Sequence, residues 1–197
     1  VVINKNNTIY KRQKNKPLKI VWTRQHIQRK ALHLLLKSLV LIDKSVEWEL
    51  HILGVGSETN DWKKLAKNLN IDANCIWYGW IDKNKALSVM KEAHLLAITS
   101  LYDLTSTVIV EGISLGLPVV CLDHCGFSFV INETCGIKIP VNNPEAIFND
   151  FSASIEKLYR DEEYRFALAN GALQRAEDFS WENKIEELNK VYQKLMI

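Results

Sequence analysis

The 197-residue sequence predicts an α/β fold: a doubly wound parallel sheet of about six strands, with helices on both faces and a helical C-terminal tail. Three observations predict it. Short apolar runs alternate with longer amphipathic stretches, the order expected where each strand is followed by a crossover helix. The chain is 47% apolar, enough for one substantial core. From Glu145 onward only helical spacing appears, so the sheet is complete before that point.

The elements follow in order. Residues 18–22 (Leu-Lys-Ile-Val-Trp) form a first strand, and residues 29–42 a helix with Leu32, Leu35, Leu36 and Leu39 on one face. Residues 48–53 are a second strand, closed by Gly54-Val-Gly56. Residues 60–69 place Trp62, Leu65, Ala66 and Leu69 at helical spacing. Residues 75–78 are a short strand, followed by a helix over 82–92 with Asp82 as its N-cap. Residues 95–98, 118–122 and 137–139 supply three more strands, and Ser180-Trp181-Glu182 opens a last helix through Leu195. Ligands of such sheets bind beyond the carboxyl ends of the strands. The loops over 23–28, 54–59, 79–81, 99–106 and 123–127 are therefore expected to carry the chemistry.

Composition narrows the function classes. A net charge of +2 gives no reason to expect nucleic acid or an anionic membrane as partner. The longest apolar run, residues 34–42, is interrupted by Lys37 and Ser38, so no integral membrane segment is expected, and no secretory leader is recognisable. The chain opens on Val1, and residues 4–16 are polar and basic. Residues 1–16 thus read as a linker from a missing N-terminal domain, and residues 17–197 as one domain. Cys121 and Cys125 flank His124, which invites a metal reading, but Cys121 falls in an apolar run and no Cys-x-x-Cys pair occurs. Free thiols in a reducing, cytoplasmic setting and no metal are the expectation.

The most informative window is residues 100–120, where Asp103 and Glu111 stand eight residues apart. Thr105, Ser106 and Thr107 lie between them, and Gly116-Leu-Pro118 leads into the next strand. With residues 107–115 helical, backbone N–H groups at the helix start would point outward toward phosphate oxygens. Glu111 would then lie one turn in, on the face of Thr107, able to accept from a pair of ribose hydroxyls. Local propensity argues the other way, since Thr107-Val-Ile-Val110 is a β-branched run. Arg24 and Lys30, six residues apart, supply two cations at the first strand's end that would neutralise a diphosphate. Taken alone, Arg24, Arg29 and Lys30 equally describe a solvated basic face.

Together these residues resemble the C-terminal donor-binding domain of retaining GT-B glycosyltransferases of family 4, the glycosyl transferases group 1. Asp103 and Glu111 match that family's Glu-x7-Glu motif, with Asp for the first Glu. Thr23-Arg24 and Arg29-Lys30-Ala31 match its Gly-Arg and Lys-Gly pair, with Thr and Ala in place of the glycines. Ile52-Leu-Gly-Val-Gly56, Tyr78-Gly-Trp-Ile81, Gly126 and Phe179-Ser-Trp181 match further segments in the same order, so the resemblance extends over residues 18–195. It decides for a helix at 107–115 and implies a Rossmann-like domain.

The resemblance implies a division of roles. Arg24, Lys30 and Asp103 form the catalytic group, the two cations on the donor's diphosphate and Asp103 orienting the transferred sugar with the backbone of Leu104 and Thr105. Glu111 binds ribose, Ile81 meets the base through its backbone, and N–H groups around Ser106, Thr107 and Val108 assist the phosphates. The donor is a UDP-, GDP- or ADP-sugar, and no metal or other cofactor is needed. The acceptor, a sugar, lipid or polysaccharide, belongs to the missing N-terminal domain, so the fragment alone is expected to be inactive. The setting is cytoplasmic, peripheral at the inner face of the membrane in the longer protein. Trp80 is expected to pack on its neighbours rather than cover the base. Three rivals remain: a GT-B sugar-nucleotide epimerase, for which His124 is a poor proton-transfer group; a starch or glycogen synthase-like enzyme; and a degenerate, non-catalytic binding module.

Overall fold

The computed structural model describes residue 9 and residues 11–13, 16–104 and 107–195. Most of the 1–16 segment and both Thr105 and Ser106 lie outside the described residues. Among the described residues six strands, β1 (Leu18–Thr23), β2 (Trp48–Leu53), β3 (Cys75–Gly79), β4 (Leu95–Ile98), β5 (Val119–Leu122) and β6 (Gly136–Ile139), pair in the order β3-β2-β1-β4-β5-β6. Every pairing is parallel. β1 is central: Leu18 to Thr23 align with Trp48 to Leu53, and Ile20 and Val21 align with Leu95 and Leu96. The strand order reverses between β1 and β4, so their outgoing connections part and leave a crevice at the carboxyl edge.

Eight α-helices among the described residues connect and cover the strands: α1 (Leu32–Leu39), α2 (Thr59–Asn68), α3 (Lys83–Lys91), α4 (Thr107–Ser114), α5 (Cys125–Val130), α6 (Pro144–Arg160), α7 (Glu162–Glu177) and α8 (Trp181–Leu195). Strand alternation sorts the core into two. Leu18, Ile20, Leu95 and Ala97 face α1, α2 and α6. Val21, Leu96, Ile98 and Val119 face α3, α4, α5 and α7. In α1, Leu32, Leu35, Leu36 and Leu39 are all buried, each contributing about 1.5–3 kcal/mol of transfer free energy.

Local signals fix the helix starts. Asp82, Asn143 and Asp161 accept from the backbone N–H of Lys85, Ala146 and Tyr164 at 3.0, 2.9 and 2.8 Å, and Pro144 stands at the first position of α6. Residues 107–114 are helical despite their β-branched run, because Ile109 and Ile113 are buried one turn apart against the sheet. Tertiary packing overrides propensity there.

Two expectations are corrected. The helix read over 29–42 is a 3-10 turn, Gln28–Lys30, followed by α1, with Ala31 between them in the left-handed region at φ 51°. That break turns Lys30 inward, where it is buried. Residues 125–130, read within and beyond a loop, form the short helix α5. Its six residues carry neither a side-chain cap nor a full amphipathic period.

A buried relay ties β1, β4 and the start of α1 together. Trp22 Nε1 donates to Thr99 Oγ1 at 3.0 Å, and that hydroxyl donates to the Lys30 carbonyl at 2.8 Å. At the opposite edge His94 Nδ1 accepts from the Lys19 N–H at 2.8 Å. Burial, assisted by the nearby Arg165 cation, pushes the His94 pKa down to about 3, so the ring stays a neutral acceptor at physiological pH. On α8, Trp181, Ile185, Leu188, Val191 and Tyr192 are all exposed. No helix among the described residues is long and apolar enough to cross a membrane.

Candidate functional site

The crevice between β1 and β4 gathers the charged residues singled out in the sequence. Arg24 follows β1 directly, and its backbone N–H donates to the Leu53 carbonyl at 3.2 Å, which keeps the loop against the end of β2. That approach is close. A Cβ on Gly54, whose φ is +113°, would stand 2.0 Å from the Arg24 carbonyl oxygen, and one on Gly56 would stand 2.2 Å from that of His26. Gly54-Val-Gly56 therefore exists to let two loops touch. His26 is fully buried in the same junction, its ring 5.5 and 5.4 Å from those of Trp22 and Trp62, with Nδ1 2.9 Å from Thr59 Oγ1. Burial lowers its pKa.

The Lys30 side chain is 5% exposed and its ammonium pairs with one carboxylate oxygen of Asp103. Arg29 Nη1 lies 3.7 Å from the other oxygen and donates to the Tyr102 carbonyl at 2.8 Å. The Leu101 N–H donates back to the Arg29 carbonyl at 2.8 Å. The loops after β1 and β4 are thus joined by charge and backbone at once. Burial pulls the Lys30 pKa down, and Asp103 opposes it.

Arg24 is different. Its Nε and Nη2 are buried, and neither has a hydrogen-bond partner among the described residues. Burial lowers its pKa, while the carboxylates of Asp103 and Glu111 pull the other way. A guanidinium stays charged regardless, so Arg24 is a cation with two buried donors unpartnered among the described residues. Glu111, on α4 one turn from Thr107, is 16% exposed at its side chain and pairs with Lys83 at 3.2 Å. Thr107 is exposed and Val108 half-buried at the start of α4, and Leu104 is exposed.

The structure therefore brings Arg24, Lys30, Asp103 and Glu111 together at one edge. It divides the cations, however: Lys30 is neutralised by Asp103, whereas two guanidinium nitrogens of Arg24 have no hydrogen-bond partner among the described residues. Arg29 and Lys83 also belong to the cluster. Arg29's neighbour Lys30 marked the place, but Lys83 enters from α3, and no spacing along the chain signals it.

Beside Arg24 lies a cavity of about 340 Å3, walled by Gln25, Leu53, Gly54, Val55, Trp80 and Ile81 among others. Ile81 is half-buried and lines it. Trp80 does not pack on its neighbours: it is 78% exposed at this rim, because Gly79, in the left-handed region at φ 70°, ends β3 and turns the chain outward. His124 Nε2 lies 3.1 Å from the Ser100 carbonyl, and its Nδ1 faces the Cys125 thiol. All four cysteines are free, and Cys121 is buried in β5. No group of three or more His, Cys, Asp or Glu placed to hold a metal occurs among the described residues.

Residues 4–175 match the family model described as Glycosyl transferases group 1. A D-inositol 3-phosphate glycosyltransferase of Corynebacterium kroppenstedtii is 26% identical over 161 residues, covering 78% of this chain and 35% of that protein. The lipopolysaccharide outer core galactosyltransferase WaaB, in its apo form, superposes with a TM-score of 0.84 at 22% identity, covering 98% of this chain and 54% of that one. The pneumococcal O-GlcNAc transferase GtfA, solved with UDP and GlcNAc, gives a TM-score of 0.78 at 19% identity, over 96% of this chain and 38% of that one. At such identities the structural likeness establishes the fold. The chain spans roughly a third to a half of the length of these relatives.

Proposed function

The chain belongs to the glycosyl transferases group 1 family, and on that premise we propose that it is the C-terminal donor-binding domain of a retaining, family 4 GT-B glycosyltransferase. The reaction is sugar transfer from a nucleoside-diphosphate sugar to an acceptor sugar, lipid or polysaccharide. One observation carries the reading: Arg24 stands at the β1–β4 crevice with buried guanidinium donors that nothing in the described protein uses. Burying such a group without a partner is costly, and a ligand diphosphate supplies the missing acceptors.

In this reading Arg24 and the first backbone N–H groups of α4 hold the diphosphate, and Lys30 and Arg29 add positive potential behind it. These cations stabilise the charge that develops on the departing nucleoside diphosphate, which removes the need for a metal in the same role. Glu111 accepts from the ribose hydroxyls once Lys83 releases it. Asp103 acts on the transferred sugar from its place between Lys30 and Arg29. The UDP complex of GtfA supports a uridine diphosphate donor ahead of GDP or ADP.

Residues 17–197 constitute the donor domain, and a partner domain beyond the linker holds the acceptor, in the cytoplasm. The 197-residue chain is therefore expected to bind UDP without transferring sugar. Incubation with UDP-sugars and oligosaccharide acceptors, followed by mass spectrometry, checks this, and detectable glycosylated product from the chain alone contradicts it. No observation favours the epimerase reading, since His124 is engaged by Ser100 and Cys125.

A further inference from the structure

We propose that Cys125 is a reactive thiol that forms a mixed disulfide with low-molecular-weight disulfides of the glutathione type, with His124 as its base. Cys125 is exposed, whereas Cys75, Cys121 and Cys135 are buried. Burial pushes the pKa of Cys75 and of Cys121 up to about 12 and raises that of Cys135, so those three stay protonated and shielded. Exposure alone would leave Cys125 an ordinary surface thiol.

The imidazole beside it changes that. His124 Nε2 lies 3.1 Å from the Ser100 carbonyl oxygen, which can only accept, so Nε2 carries the proton. In the neutral ring Nδ1 is then the bare nitrogen, and it stands 2.7 Å from Cys125 Sγ. The thiol donates to a base whose tautomer a third group fixes, the arrangement that activates nucleophilic cysteines. Buried Phe127 packs against the same ring, with centroids 5.8 Å apart. The neighbouring Asp123 carboxylate is taken by Lys138 and Ser128, which leaves His124 as the base. In the reaction the Cys125 proton passes to His124 Nδ1, and the sulfur attacks one sulfur of the disulfide. That S–S bond breaks as the new one forms, and the departing thiolate takes the proton from the imidazolium. Ser100 lies in the loop after β4, so the adduct stands at the carboxyl edge of the sheet.

The test is incubation of the native 197-residue chain with oxidised glutathione at neutral pH, followed over time by intact mass and peptide mapping. One glutathione per chain is expected, on Cys125, and dithiothreitol removes it. Cys125→Ser takes up none. His124→Gln keeps an N–H for the Ser100 carbonyl but removes the base. Its reaction is expected to be roughly ten- to thirtyfold slower, because an ordinary thiol is only a few per cent ionised near neutrality. Native Cys125 should also react faster than Cys125 in the urea-unfolded wild-type chain, where the fold no longer sets the imidazole, a comparison that needs no variant. Absence of an adduct, or an adduct spread over Cys75, Cys121 and Cys135, overturns the proposal. So does a native rate no faster than the unfolded one, or an undiminished rate in His124→Gln.

Discussion

Gly54→Ala is expected to destabilise the chain by about 3 kcal/mol and to abolish nucleotide binding. The added Cβ would stand 2.0 Å from the Arg24 carbonyl oxygen, and the residue would have to hold φ +113°. Both costs fall on the junction that fixes Arg24. The backbone on the far side is Arg24 itself, so it must shift, and the guanidinium moves with it. A loss of that size lowers Tm by roughly 6–12 °C for a chain this long. Gly79 provides the contrast. Its φ is +70° but nothing lies within 4 Å of a Cβ built on it, so Gly79→Asn should cost little. Equal melting temperatures for Gly54→Ala and the wild type would refute the close-approach explanation.

Asp103→Ala is expected to cost about 3–5 kcal/mol, because it leaves a buried ammonium without its counter-charge. The Lys30 side chain is 5% exposed, and Asp103 is the carboxylate it meets. The double variant Lys30→Met/Asp103→Leu removes both charges and is expected to regain most of the stability. The loss also depends on pH. Burial holds the folded Lys30 pKa below its ordinary 10.5, so between those two values the unfolded chain binds the extra proton and stability rises with pH. Without Asp103 the main opposing influence is gone and the window widens. The deficit of Asp103→Ala is thus largest near neutral pH and shrinks toward pH 10.5. Denaturant unfolding at several pH values measures this, and a single variant no less stable than the double one would contradict it.

Much of the fold is legible in the sequence because parallel strands buried on both faces are short apolar runs, and turns or caps bound them. Trp48–Leu53 and Leu95–Ile98 are bounded as their side chains suggest. What escapes reading is set by tertiary context. Thr107–Val110 has strand propensity and becomes helix because Ile109 and Ile113 need the sheet's face. Ala31 breaks the first helix although nothing local demands a left-handed residue there, and that break is what buries Lys30. In the site, Arg24, Lys30, Asp103 and Glu111 are marked by charge and spacing. Which cation is spent and which is free depends on packing across β1 and β4, and a linear sequence does not encode that openly. Lys83 and Gln25 become visible only once α3 and the loop after β1 are set beside the crevice.

In the proposed nucleoside-diphosphate site, Arg24 is the group that binds the anion. Calorimetric titration of the 197-residue chain with UDP, repeated on Arg24→Ala, tests it most directly. Losing a charge-assisted contact should cost about 1.5–3 kcal/mol, a fall in affinity of roughly ten- to 150-fold. UDP that binds Arg24→Ala as tightly as it binds the wild-type chain would contradict the account.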